Sequence, residues 1–102
     1  MITYGTELKI NVHVEPLDNM SMANYEFECT FYTDANRRVT IKKADMKMED
    51  VDNFIAVIET SNIKKLGRGK LMLEFTAFIP DSDFSDGKRT EKAIINTNIT
   101  IV

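Results

Sequence analysis

Four stretches of this chain alternate between apolar and polar side chains, and this period of two residues constrains the fold more than any other feature. They cover residues 7–15, 25–33, 70–79 and 89–102. Side chains of a β-strand point to opposite faces in turn, so each stretch predicts a strand with one buried face and one solvated face. Antiparallel sheets whose apolar faces pack against each other satisfy all four stretches at once.

The apolar positions of these strands identify the expected core. They are Leu8, Ile10, Val12, Val14, Tyr25, Phe27, Cys29, Phe31, Leu71, Leu73, Phe75, Ala77, Ile79, Ala93, Ile95, Thr97, Ile99 and Ile101. Val39 and Ile41 predict a further short strand, which forms a hairpin with the second stretch across the turn residues 34–36. Residues 53–59 are apolar on both faces, which is typical of a central or covered strand.

Helical signals are short. Residues 60–62 supply capping groups and Gly67 supplies a stop, which predicts one helical turn between Ser61 and Leu66. Residues 43–52 suit either an extended segment or one helical turn. With six to seven strands and at most one short helical turn, the sequence predicts an all-β fold. We expect an antiparallel, immunoglobulin-like β-sandwich, formed by residues 1–102 as a single domain.

Composition narrows the class of partner. The chain has 102 residues and a net charge of −3, and its pI is about 5.1. Nucleic-acid binders usually present a basic face, so we expect no nucleic-acid partner. No segment is apolar over the length that spans a bilayer, and the first residues lack the basic start and apolar stretch of a signal peptide. We therefore expect synthesis in a cytoplasm and no membrane partner.

The chain offers few groups for catalysis or metal binding. Its single cysteine, Cys29, excludes an intrachain disulfide and falls on an apolar strand face, where an inert buried thiol is expected. Its single histidine, His13, falls on a polar strand face. A zinc site lacks ligands, and a Cys–His dyad would need both residues on one face. The sequence predicts no enzyme activity and no cofactor.

Residues 81–87 contain three aspartates and resemble a cation-binding loop at first sight. The spacing fails as an EF-hand, because the glycine comes one place late and no glutamate closes the loop. A looser site formed by Asp81, Asp83 and Asp86 stays open as a weak metal candidate. The alternative is a solvated turn in which aspartates accept turn hydrogen bonds and Gly87 adopts positive φ.

Several large apolar residues fall on nominally polar faces. They are Tyr32, Ile55, Val57, Met72, Phe78, Ile94 and Val102. Either they lie inside the sandwich or some of them form an exposed patch of the kind that marks an interface. A terminal strand at a sheet edge can also pair with a neighbouring subunit. The interface candidates are Tyr32, Met72, Phe78, Phe84, Arg89 and Val102.

A resemblance to a known group rests on residues 67–71, 78–87 and 89–91, supported by residues 4–10 and 25–32. These runs resemble small virion structural proteins of bacteriophages and prophages of gut Bacteroidales, the crAss-like phages included. The layout is also similar to immunoglobulin-like virion domains, such as the N-terminal domains of phage baseplate upper proteins. The resemblance implies no catalytic residues. It also implies that the loop from Asp81 to Arg89 is a docking or structural loop.

The function that the resemblance implies is a capsid auxiliary (decoration) protein, made in the cytoplasm of a bacterial host and located in the virion. It would dock on the particle lattice by contacts with other phage structural proteins. A second copy of the same chain is also among the expected partners. A tail, baseplate or fibre adaptor is one alternative, and a small regulatory or anti-host protein is another. A ligand- or carbohydrate-binding module would have to stack sugars on Tyr4, Tyr25 or Tyr32, since tryptophan is absent.

Overall fold

A computed structural model of the chain describes residues 1–16 and 19–102, and these residues form seven strands and three short helical turns. The strands are β1 (Leu8–His13), β2 (Glu26–Asp34), β3 (Arg37–Lys42), β4 (Lys47–Asp50), β5 (Asn53–Ile58), β6 (Gly69–Pro80) and β7 (Lys88–Ile101). One α-helical turn, α1, spans Thr60–Ile63, and 3-10 turns span Met22–Asn24 and Lys43–Asp45. Leu17 and Asp18 lie outside the described residues.

The strands form two antiparallel sheets, and the prediction of an all-β sandwich is confirmed. One sheet has three strands in the order β1-β5-β4, and the other has four in the order β3-β2-β6-β7. A constant-type immunoglobulin domain also has seven strands, but its second strand lies beside the first. In this chain β2 instead pairs with β3 and β6, in the opposite sheet to β1.

The core lies between the two sheets where the alternation placed it. Every predicted core residue of β6 is buried, as are Phe27, Cys29 and Phe31 of β2 and the adjoining Tyr25. In the facing sheet β5 is the central strand, as its two apolar faces predicted, and four of its six residues are buried. The predicted hairpin of β2 and β3 forms across a turn in which the Asn36 amide donates to the Asp34 carboxylate at 2.8 Å.

Phe27 joins the two sheets at the centre of an aromatic cluster. Its ring centroid lies 5.1 Å from that of Phe54 in β5 and 5.3 Å from that of Phe75 in β6. The Phe27 and Phe54 rings meet edge to face, which is a favoured aromatic geometry. Lys43, in the turn between β3 and β4, places its Nζ 5.9 Å from the Phe27 ring and donates hydrogen bonds to the Ala23 and Tyr25 carbonyls at 2.9 Å. The cluster therefore holds the sheets together and anchors one of their connections.

The helical turn α1 is where the sequence predicted one, but its capping group comes from elsewhere in the chain. Glu59 at the N-cap position makes no side-chain capping bond. The Glu7 carboxylate instead accepts from the Thr60 amide at 2.9 Å and the Thr60 hydroxyl at 3.0 Å. No helix in the described part of the chain has the length and hydrophobicity that a membrane crossing requires.

Two predicted core residues of β7, Ala93 and Ile95, are exposed, and this prediction was wrong. They lie opposite the buried Phe75 and Leu73 of β6 and thus on the inner face of the sheet. The facing sheet has one strand fewer, however, and does not cover them. Ile95 is 41% exposed for this reason. Alternation identified the correct face but not the extent of the opposite sheet.

Replacing Phe27 with alanine should lower the free energy of unfolding by about 3–5 kcal/mol, because it removes a buried ring and leaves a cavity between the sheets. Urea or guanidinium denaturation measures this value. Phe84→Ala is the matched control, since the Phe84 side chain is 48% exposed in a loop. The control should change stability by no more than about 0.5 kcal/mol. Similar costs for the two variants would contradict the central position of Phe27.

Candidate functional site

The four edge strands of the two sheets are β1, β4, β3 and β7, and they differ in how well they are protected. An unprotected edge presents free backbone donors and acceptors to any other strand. β4 has only four residues, three of which are charged. β3 carries Arg37, Arg38 and Lys42, and β1 has six residues with Lys9 and His13 on its outer face. These three edges are short or charged, which discourages pairing.

β7 is the longest strand, with 14 residues, and is the least protected edge. After Lys92 the strand carries no charge as far as Ile101. Ile94 is 65% exposed, and its neighbour Ile95 is 41% exposed on the other face of the same strand. We call residues 91–97 the β7 edge. From Ala93 to Thr97 this edge is uncharged, and an uncharged run on an open edge is the type of segment that pairs with another chain.

The N-terminal segment closes only the last part of this strand. Ile2 forms a parallel bridge with Ile101, and its amide donates to the Thr100 carbonyl at 2.9 Å. The Tyr4 amide donates to the Val102 carbonyl at 2.7 Å. Within the described residues these contacts end at Thr100, and the β7 edge beyond them has no strand beside it.

A bulge separates the closed part of β7 from the open part. Met72 lies opposite Asn96 while Leu71 lies opposite Ile99, so two residues of β7 are additional at this point. The Thr97 hydroxyl donates to the Leu71 carbonyl at 2.6 Å. Asn98 takes a left-handed φ of 62°, which asparagine tolerates better than most residues. The bulge interrupts the regular pairing of β7 with β6, which resumes at Ile99.

An apolar groove of about 100 Å³ lies beside the β7 edge on the inner side of the sheet. It is lined by Val14, Phe75, Ala77, Glu91, Lys92 and Ala93. Phe75 and Ala77 are core residues, so the groove is a place where the core reaches the surface. Its existence follows from the same mismatch that exposes Ile95: four strands face three. The groove adjoins the β7 edge, because Glu91, Lys92 and Ala93 belong to both.

The outer face of the four-stranded sheet is more polar than the sequence suggested. Tyr32 and Met72, two interface candidates, lie opposite each other and are half-buried. The Arg38 guanidinium stacks 5.1 Å above the Tyr32 ring and lies 3.8 Å from the Glu74 carboxylate. Lys92 reaches the same carboxylate at 3.2 Å. Arg38 therefore covers the Tyr32 ring, and the Glu74 carboxylate binds both Arg38 and Lys92.

The other four interface candidates do not join Tyr32 and Met72 in one patch. Phe78 is half-buried near the β6–β7 hairpin, and Phe84 is 48% exposed in the hairpin loop itself. Arg89 is oriented to the inner side and binds the carboxylates of Asp81 and Glu91 at 3.1 and 3.0 Å. Val102 is 48% exposed at the opposite end of β7.

Sequence reasoning assigned Ile94 to the apolar residues on polar faces and Ile95 to the core, and so missed the surface that the two form. The available signal was the uncharged stretch of residues 93–101 at the end of the chain. Of the remaining residues in that apolar set, Val57 is 43% exposed, whereas Ile55 is buried.

Of the three aspartates in the weak metal candidate, Asp81 and Asp86 accept turn hydrogen bonds through their carboxylates. The Asp81 carboxylate accepts from the Asp83 amide at 3.0 Å, and the Asp86 carboxylate accepts from the Lys88 amide at 3.1 Å. Gly87 takes a φ of 76°, as the turn interpretation predicted. Among the described residues, no group of three or more histidine, cysteine or acidic side chains is placed to hold a metal ion.

The two residues tested for nucleophilic chemistry lie in different sheets. Cys29 is fully buried in β2, and burial raises the pKa of its thiol to about 12. His13, in β1, is exposed and places Nδ1 3.0 Å from the Asp52 carbonyl. Burial also raises the pKa of Tyr25, whose hydroxyl is enclosed without a hydrogen-bond partner among the described residues. Its place in the core favours a packing role.

The Cys29 thiol should resist modification in the folded chain. At pH 8 a thiol with a pKa of about 12 is almost entirely protonated, and it is also shielded from reagent. We expect a disulfide reagent to label the native protein slowly and one thiol per chain after unfolding in guanidinium. Val57→Cys supplies an exposed control thiol that reacts at once. Rapid labelling of the native wild type would contradict the buried position.

The pKa of His13 should lie above its ordinary value of 6.5, chiefly because its ring bonds the Glu15 carboxylate and then the Asp52 carbonyl. Charged His13 therefore favours the folded state below pH 6.5, and this contribution disappears as pH rises through the folded-state pKa. An NMR titration measures the shift. Glu15→Gln should lower the pKa of His13 and Glu26→Gln should not. An unchanged value in Glu15→Gln would refute the assignment.

The surface formed by the β7 edge and its groove is the candidate functional site, and it is suited to contact with another protein chain. It combines free strand backbone, isoleucines on both faces and a concave apolar wall. Comparisons with protein-family models, curated proteins and solved structures find no match for this chain.

Proposed function

We propose that this protein is a non-enzymatic structural protein of a bacteriophage particle, in the role of a capsid auxiliary (decoration) protein. It would act through protein–protein contacts. The single observation that carries the protein-binding part is the open β7 edge, with Ile94 and Ile95 exposed on its two faces. The phage assignment is supported by the resemblance of residues 67–71, 78–87 and 89–91 to small virion proteins.

The surface chemistry supports association rather than catalysis or sugar binding. Exposing an uncharged strand edge costs solubility, and proteins usually protect such edges. An open edge is therefore understandable if another chain covers it in the working assembly. The three tyrosines offer little to a sugar, since Tyr25 is buried, Tyr32 lies under Arg38 and Tyr4 lies 4.7 Å from the Arg68 guanidinium.

Quantitative mass spectrometry of gradient-purified particles tests the proposal. A decoration protein should be present at a fixed ratio to the major capsid protein, in many copies per particle. A few copies per particle would instead indicate the alternative, a tail or baseplate adaptor. Particles that contain none of this chain, although infected cells express it, would refute a virion role of either kind.

A variant comparison connects the role to the surface. Ile94→Lys places a charge at the centre of the β7 edge and should reduce incorporation into particles. Val57→Lys is the control, because Val57 is also an exposed apolar strand residue but lies in the other sheet. Equal incorporation of both variants would exclude the β7 edge from particle assembly.

A further inference from the structure

We infer that the β7 edge binds the β7 edge of a second copy of this chain, in antiparallel register centred on Ile94. The pair would join the two four-stranded sheets into one sheet of eight strands. This inference rests on the proposed function in one respect: it names the partner of the surface through which the protein is proposed to associate. We choose a second copy as the partner because of the residues that the edge itself contains.

The first reason for choosing a second copy as the partner is that the β7 edge is complementary to itself. In a two-fold antiparallel pair one residue must face its own copy, because opposite residues point to the same side of a sheet. With Ile94 at the centre, the Ile94 side chains of the two copies contact each other on the outer face, and Ile94 is the most exposed isoleucine among the described residues. Ala93 then lies opposite Ile95 of the second copy, and Lys92 lies opposite Asn96. No like charges are opposed, and every apolar residue meets an apolar partner.

Neighbouring registers of the strand pair are less favourable, because they oppose like charges or place charged residues opposite apolar ones. Centring on Lys92 opposes two ammonium groups, and centring on Glu91 opposes two carboxylates, both of which destabilise a strand pair. Centring on Ala93 places Lys92 opposite Ile94 and Glu91 opposite Ile95. A later centre draws the bulge at residues 97–98 into the paired stretch. Charge and apolar matching therefore select Ile94.

The groove beside the β7 edge is the second reason for choosing a second copy as the partner. In the Ile94-centred register Ile95 of the second copy lies beside Ala93, which lines the apolar groove together with Phe75 and Val14. The side chain left uncovered on one copy is thus placed at the opening left in the other. By symmetry both grooves are filled. The part of the core that the three-stranded sheet does not cover becomes covered by the partner.

The limits of the paired stretch agree with this arrangement. The N-terminal segment occupies the edge at Thr100, and the bulge interrupts it at residues 97–98. Regular pairing centred on Ile94 therefore runs from Lys92 to Asn96, the last residue before the bulge. The two β6–β7 hairpins, each with an exposed Phe84, would lie at opposite ends of the joined sheet. They remain free for contacts with a particle.

Sedimentation equilibrium of the full chain between about 1 μM and 1 mM tests self-association. We expect a monomer–dimer equilibrium for the wild type and for Val57→Lys, and a monomer throughout this range for Ile94→Lys, which opposes two charges at the centre. Circular dichroism of each variant confirms that it is folded. A monomeric wild type overturns the inference, as does a dimer that Ile94→Lys leaves intact.

Cysteine cross-linking tests the register, and buried Cys29 does not compete. Ile94→Cys alone should form disulfide dimers, since opposite residues of a strand pair lie within disulfide reach. Ala93→Cys and Ile95→Cys should each fail alone and cross-link when mixed, because residues two places out of register lie beyond that reach. Val57→Cys should not cross-link. Efficient cross-linking of Ala93→Cys alone, without Ile94→Cys, would overturn this register.

The two proposals fail separately. A dimer with the Ile94 register that is absent from purified particles refutes the virion role and leaves the self-pairing intact. A chain that is incorporated into particles but stays monomeric and does not cross-link refutes the self-pairing and leaves the virion role intact.

Discussion

The packing of Phe27 between the two sheets is the interaction on which the rest of the fold depends. Its ring touches Phe54 from the facing sheet and Phe75 from its own, so one side chain contacts both layers. Lys43 packs at the end of this cluster, and its hydrogen bonds to the Ala23 and Tyr25 carbonyls hold the connection between β3 and β4 in place. A small domain has few such contacts, and losing one large buried ring removes a sizeable part of its stability.

The unequal size of the two sheets is the second constraint, and it leaves apolar side chains exposed. Three strands cannot cover four, so the inner face of β7 is left partly bare. Ile95 is exposed and an apolar groove opens beside Ala93 as a direct result. Because the N-terminal segment closes β7 only near Thr100, the remaining edge keeps both its backbone groups and its apolar side chains available. In the dimer that we propose, a second copy covers both the edge and the groove.

Much of the fold was predictable from local pattern, and the failures have a common cause. Alternation identified the inner faces of β1, β2 and β6, and the doubly apolar β5 is central as expected. It placed Ala93 and Ile95 on the correct face, yet burial depends on what lies opposite. The surroundings of individual side chains also depend on other strands. Tyr32 is covered by Arg38 from a neighbouring strand, whereas Ile95, taken as core, is part of the candidate site.

The sequence by itself determined the strands, their inner faces and the turn chemistry of the aspartate loop, because these follow from the two-residue period of an extended chain and from local hydrogen bonds. Only the tertiary structure decided that β2 joins β6, that Glu7 caps α1 and that β7 overhangs the facing sheet. Each of these is a contact between residues far apart in the chain. Such contacts depend on how whole sheets align, which alternation within one strand does not encode. The candidate site belongs to this second group.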